Sequence, residues 1–269
     1  MKPYLYIPVF ICCILSANAF YGQTITNAHS DKLNVPDSAT VLTLSGLNFN
    51  LYNSMPDKFH GLFSKPPYTM VRVKYPASIA KNSISKGVDM LNEALRKTPG
   101  PKIVLAHSQG AQVCSRWMRT YASDTTAPKP GELLFILTGN PLRSSGGYII
   151  GRKEVGGTIG LPTPVNTPWP IIDFARRYDG WADWVQDEKN KVAVRNANIG
   201  KQTLHKKYND IDFFSPTHSI WTNGNTTYVL THEDELPILK GNSSPSKDKE
   251  TREKVESAYT NRPNPLNNE

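Results

Sequence analysis

Hydrophobic and polar positions alternate between two periods along the first half of this chain. Val41-Leu42-Thr43-Leu44 is a short apolar run stopped by Ser45-Gly46, which predicts a strand. Met70 to Tyr75 alternates apolar and polar residues and predicts a second strand, punctuated by Pro76. From Ser78 to Lys97, Ile79, Ile84, Val88, Leu91 and Leu95 recur at spacings of three to five, the pattern of an amphipathic helix closed by Pro99-Gly100. Lys102 to His107 (KIVLAH) reads as a buried strand. Gln109 to Tyr121 reads as a helix with Ala111, Cys114, Trp117, Met118 and Tyr121 on one side. Leu133 to Leu137 is a third apolar strand. Strand and helix in alternation predict an α/β fold, a mostly parallel sheet with helices on both faces.

The second half is richer in Gly, Pro, Asn and Thr. It yields strands near Ile171–Tyr178 and Thr227–Leu230. Residues 240–269 are polar, with few large apolar residues beyond Val255, Tyr259 and Leu266, and are expected to form a disordered tail. At the other end, Lys2, the apolar run Tyr4–Leu15 and Ala17-Asn18-Ala19 follow the order of a secretory signal peptide, with cleavage expected after Ala19. Residues 20–40 then read as a leader and 41–239 as one domain.

Composition narrows the class. The 269 residues, 38% hydrophobic, can fill one core or a core with a small companion, which excludes disorder throughout. Mean hydropathy of −0.44 excludes a multi-span membrane protein. Of three cysteines, Cys12 and Cys13 would leave with the signal, so the exported protein would keep only Cys114 and no internal disulfide. The net charge is +8. Without Lys2 and the nearly neutral tail, the body keeps about +6, spread along the chain rather than clustered. This pattern argues against a nucleic-acid partner and fits attraction to an anionic envelope surface. Asn225-Thr226-Thr227 matches a glycosylation pattern, but Asn225 is expected to serve a turn before the last strand.

The candidate chemistry sits at Ala106-His107-Ser108-Gln109-Gly110, between the KIVLAH strand and the next helix. A sharp strand–turn–helix pushes its central serine out at the sheet's carboxyl edge, and the residues two before and two after must be small for strand and helix to approach. Ala106 and Gly110 satisfy this, with alanine replacing the usual first glycine of G-x-S-x-G. Ser108 is thus the candidate nucleophile, at a helix N-terminus rich in free N–H groups. The Gln109 N–H is one expected oxyanion donor. A second is expected from Ser45-Gly46-Leu47-Asn48, with Leu47 as the candidate. In this arrangement acid and then histidine follow the serine. His29 and His60 precede Ser108, and the His107 side chain is expected to point to the other side of its strand. His205, His218 and His232 remain as bases, and Asp173, Asp179 and Asp183 as acids. Asp179 precedes Gly180 where a strand gives way to a loop. No C-x-x-C or H-E-x-x-H pattern suggests a metal, and no cofactor is expected.

Four stretches carry a family resemblance: Ala106–Gly110; Gly139-Asn140-Pro141-Leu142-Arg143 with Gly146-Gly147; Thr167–Pro170 leading to Arg177-Tyr178-Asp179-Gly180-Trp181-Ala182-Asp183; and Gly224–Leu230 followed by Glu235–Leu239. Over roughly residues 41–239 the chain resembles the PE-PPE domain, a cutinase-like serine hydrolase of the α/β-hydrolase fold. The resemblance implies an α/β-hydrolase, cutinase-like, with a mostly parallel central sheet flanked by helices. Its H-x-x-Y pattern falls on His205-Lys206-Lys207-Tyr208 and favours His205 as base, with His218 second. Asp179 fits best as acid, with Asp183 the alternate. The resemblance implies a Ser108–Asp179–His205 esterase or lipase acting on acyl esters or lipids through an acyl-enzyme. The competing readings are an acyltransferase acting on envelope glycolipids and a non-catalytic binding protein of the same fold. The chain is expected to be a monomer, secreted or peripherally associated with the cell envelope.

Overall fold

A computed structural model describes residues 33–241 and 244–263. The signal-peptide reading of residues 1–19 and the first part of the leader lie outside the described residues. The elements in chain order are β1 (Thr40–Leu44), β2 (Thr69–Arg72), α1 (Ser83–Lys97), β3 (Lys102–His107), α2 (Gln109–Tyr121), β4 (Leu133–Thr138), β5 (Ile171–Ala175), α3 (Lys191–Thr203), β6 (Ser219–Asn223), β7 (Thr226–Leu230) and α4 (Pro245–Glu256).

The seven strands form one sheet in the order β2-β1-β3-β4-β5-β7-β6, parallel except for the β6–β7 hairpin at one edge. Strands β3, β4 and β5 are buried along their whole length, as parallel strands covered on both faces must be. Alternate side chains then feed two cores. Leu42, Leu44, Val104, Ala106, Phe135 and Leu137 point to one face and meet Ile84, Val88, Leu91 and Leu95 of α1 and Ala111, Cys114, Trp117 and Met118 of α2. Val41, Ile103, Leu105, Ile136, Phe174 and Val229 point to the other.

The mostly parallel sheet flanked by helices is as expected, and its second face is closed differently from the first. It is covered by a 3₁₀ segment, Lys58–Ser64, and by residues around 204–214, whose Phe59, Phe63 and Phe213 rings pack edge-on at 5.0–6.1 Å. Leu33, from the end of the expected leader, is buried in the same cluster.

Other boundaries shift for local reasons. The α1 helix starts at Ser83 rather than Ser78, and Ile79 is exposed rather than on the core face. The Gln109 side chain holds the preceding loop: its Nε2 donates to Ser78 O at 2.9 Å, and its Oε1 accepts from Ser83 Oγ at 3.1 Å. Strand β5 stops at Ala175, because Arg176 to Asp183 turns back upon itself. Strand β6 was not anticipated; Gly224-Asn225 forms the two-residue turn to β7, with Gly224 at φ +56°.

The largest correction concerns the C-terminus. Residues 245–256, expected to be disordered, form α4, whose Val255 is buried with Ala258 and Tyr259 against Tyr178, Trp184 and α3. Arg262 is buried as well and pairs with Asp183 at 2.9 Å and with Glu256 at 2.8 Å. Few large side chains anchor the helix, and buried charge pairs supply the remaining contacts.

Candidate active site

Ser108 occupies the turn between β3 and α2 with φ +54° and ψ −116°, a conformation that costs a non-glycine residue about 1–3 kcal/mol. The turn closes this tightly because Gly110 lies on Leu44: a Cβ there would stand 2.4 Å from Leu44 O. Gly46 gives the first loop the same closeness, since its Cβ would meet Ser108 Cβ at 2.9 Å.

Two distant segments converge on that serine. His205 follows α3, and its Nε2 lies 2.9 Å from Ser108 Oγ. Its Nδ1 lies 2.9 and 3.1 Å from the two carboxylate oxygens of Asp179. Asp179 is fully buried in the turn after β5 and also accepts from the Trp181 N–H at 3.1 Å and from the Tyr208 hydroxyl at 2.8 Å. The turn is shaped by close approach. Tyr178 adopts φ +68°, and a Cβ on Gly200 of α3 would overlap Tyr178 O at 1.8 Å. Gly139, at φ +54°, makes room for the base: a Cβ there would stand 2.9 Å from His107 and 3.0 Å from His205.

The other candidates are placed elsewhere. Asp183 accepts from the Tyr178 N–H at 2.8 Å and faces Arg262, so it braces the turn instead of reaching His205. Burial raises its carboxyl above the usual range against the pull of Arg262. Asp173 is buried against Arg143 at 3.0 Å and accepts from Asn140 at 2.9 Å. His218 sits near Asp212 O at 2.8 Å, with its pKa lowered by burial, and does not approach Ser108. His232 pairs with Asp234 at the surface.

His107 overturns the expectation for its side chain. It is buried at the floor of the site, 4.9 Å from the His205 ring and 3.1 Å from Thr138 Oγ1. Burial first, then the charge of Lys58 and the nearness of His205, hold its pKa well below the usual range, so it stays neutral. Cys114 is buried, and burial pushes its thiol up, away from the reactive thiolate.

A cleft of about 540 Å³ opens over Ser108. Leu47 and Gln109 both border it, and neither backbone N–H has an acceptor among the described residues. Its wall is mostly apolar, including Ile149, Val155 and Trp181, but Lys58 also lines it. Neither Tyr208 nor Lys58 was singled out from the sequence as a member of the site. The H-x-x-Y pattern marked Tyr208, whereas nothing in the sequence marks Lys58.

Comparison with known proteins finds relatives and a solved structure of limited similarity. Esterase PE16 of Mycobacterium tuberculosis is 30% identical over 202 residues, covering 68% of this chain and 37% of that protein. SL1278 acyltransferase Chp1 of the same organism is 28% identical over 255 residues, covering 84% of this chain and 61% of that protein. The chain therefore spans roughly a third to three-fifths of the length of these relatives. A solved cutinase-like protein from Cryptococcus sp. aligns at 16% identity over 64% of this chain and 93% of that one, with a TM-score of 0.37. The PE-PPE domain matches residues 56–256, three-quarters of the sequence, and the chain belongs to that family.

Proposed function

We propose that this chain is a serine acyl-ester enzyme, with Ser108 as nucleophile, His205 as base and Asp179 as the acid that orients it. The supporting observation is the continuous hydrogen-bonded line Ser108–His205–Asp179 at the floor of an apolar cleft. In this reading His205 Nε2 takes the Ser108 proton as Oγ attacks an ester carbonyl. Asp179 keeps the Nδ1 hydrogen facing itself and stabilises the imidazolium that forms. The Gln109 and Leu47 N–H groups receive the developing oxyanion. His205 then returns the proton to the departing alcohol, leaving an acyl-Ser108 that water cleaves. An acyl or lipid substrate is supported by the apolar wall and by Leu47, Phe49, Leu51 and Tyr52, which stand exposed on the loop beside the cleft.

Labelling by a fluorophosphonate, and its loss in Ser108→Ala, tests this reading. Absence of labelling in the intact protein would sink it.

Acyl transfer is the second reading, supported by the relative named as an acyltransferase that covers most of this chain. There a sugar hydroxyl replaces water at the acyl-Ser108 step. Product analysis with and without a sugar acceptor separates the two. Export to the envelope, through removal of residues 1–19, belongs to the same proposal and is tested by N-terminal sequencing of the secreted protein.

A further inference from the structure

Among the described residues lining the cleft, Lys58 is the cation that the fold buries and the proposed chemistry leaves unused. Its side chain is 3% exposed, yet it borders the cleft beside His205. Of its three N–H donors, one reaches Lys206 O at 3.2 Å, and it forms no ion pair among the described residues. Asp179, the nearest buried carboxylate, is already engaged by His205, Tyr208 and Trp181. A buried ammonium without a hydrogen-bonded carboxylate partner costs stability, and its charge helps to keep the neighbouring His107 neutral.

Its backbone setting adds a second observation. The three residues after it, Phe59, His60 and Gly61, all have positive φ (54°, 53° and 74°), the first two strained for residues with a Cβ. Phe59 N and His60 N donate to Tyr208 O and Asn209 O at 2.9 and 2.8 Å, which fixes Lys58 against the segment that carries His205. Lys153 and Lys206 also border the cleft, while its carboxylate, Glu154, is paired with Arg116. Three lysines therefore line the cleft, Lys58 the deepest, with Asp179, Asp210 and Asp57 offsetting part of its charge.

We propose that Lys58 binds an anionic group, a carboxylate, sulfate or phosphate, on the alcohol side of the ester. The side follows from the proton path: His205 returns its proton to the departing alcohol, so groups beside His205 flank that half of the substrate or the incoming acceptor. The inference rests on the ester-enzyme reading for the word alcohol, but the anion site is testable without turnover.

Binding of 4-hydroxybenzoate, 4-hydroxybenzenesulfonate, phenyl phosphate and the neutral methyl 4-hydroxybenzoate to Ser108→Ala is measured by calorimetry. At least one anion should bind about tenfold more tightly than the neutral ester, as a charge-assisted contact to a buried ammonium implies. The anion that gains most distinguishes carboxylate from sulfate-like or phosphate sources. The advantage should disappear in Ser108→Ala/Lys58→Met and persist within about threefold in Ser108→Ala/Lys58→Arg. Equal binding of anions and neutral ester overturns the proposal before any Lys58 variant is made, and so does a preference that survives Lys58→Met. Turnover of phenyl acetate against 4-carboxyphenyl and 4-sulfophenyl acetate, each corrected for its hydroxide rate, separates the two readings. Lys58-dependent anion binding without any turnover would sink the ester-enzyme reading alone. Turnover with the same anionic-to-neutral ratio in intact protein and Lys58→Met would sink the anion site alone.

Discussion

The Tyr208 hydroxyl donates to Asp179 Oδ2 at 2.8 Å, and the same carboxylate holds His205, three residues earlier in the chain. Tyr208 also accepts from the Arg176 N–H at 3.0 Å, so one buried phenol ties the end of β5 to the base segment. Burial and the adjacent Asp179 push its own ionisation far upward, which keeps it a donor at any working pH.

Tyr208→Phe keeps the ring and removes both bonds. Unfolding free energy should fall by about 1–3 kcal/mol, because a buried carboxylate oxygen and a buried N–H each lose a partner. With Asp179 less firmly held, kcat should fall roughly tenfold with KM within about threefold. Steady-state kinetics beside urea melts check the two effects separately.

Ser108→Ala, His205→Ala and Asp179→Asn should each lower ester hydrolysis by about a thousandfold or more, and non-additively in combination. His218→Ala, away from Ser108, should keep activity within about threefold. Retained activity in His205→Ala together with loss in His218→Ala would reverse the proposed base.

Gly139→Ala inserts a methyl 2.9–3.0 Å from His107 and His205 and places alanine at φ +54°. The strain should cost about 1–3 kcal/mol of stability. The displaced imidazole should lower kcat/KM by about tenfold or more in the folded fraction. Activity titrated against fluorophosphonate-reactive sites distinguishes this from simple unfolding.

Burial lowers the Lys58 pKa from 10.5 to about 8, against the opposing charges of Asp179, Asp210 and Asp57 and with Lys206 and His205 adjoining. Its folded pKa lies below the unfolded one, so between about pH 8 and 10.5 the unfolded chain binds the extra proton. Raising pH through that window therefore favours the native state, and the penalty of burying the charge is fully present below pH 8. At pH 7 Lys58→Met should be more stable than the intact protein by about 2 kcal/mol, and the difference should shrink by pH 10.5. Urea melts of both proteins across that range read it out.

Arg262→Met removes the guanidinium that pairs with both buried carboxylates, leaving Glu256 with Arg177 and Asp183 with only the Tyr178 N–H. Loss of about 3–5 kcal/mol and a fall in Tm of roughly 10 °C are expected. Because Asp183 holds the Tyr178 N–H in the turn before Asp179, activity should decline along with stability. Unchanged melting would show that residues 244–263 do not belong to the folded unit.

The elements of the first half were legible because their signals are local. The continuous apolar run of β3 and the spacing in α2 bury the same side chains whatever the rest of the chain does. The short Ala106-His107-Ser108-Gln109-Gly110 turn is equally local, and it placed Ser108 at a sheet edge before any fold was known. The second half is different. Strand β6 is only half buried, and its two buried residues, Ile220 and Trp221, are adjacent rather than alternating.

The base and acid could only be narrowed, because what selects among His205, His218 and His232 lies far away in sequence. His205 reaches Ser108 across 97 positions. Asp179 and Asp183, four residues apart, divide their tasks by the direction in which one tight turn points them. Periodicity and turn chemistry act over a few residues, so a parallel α/β core and a serine at the carboxyl edge of its sheet are legible in the chain alone. Which histidine and carboxylate face that serine, how α4 and Arg262 pack against the acid turn, and where Lys58 lies in the cleft emerge only in the folded molecule. Those outcomes depend on long-range contacts and desolvation, which no run of neighbouring residues encodes.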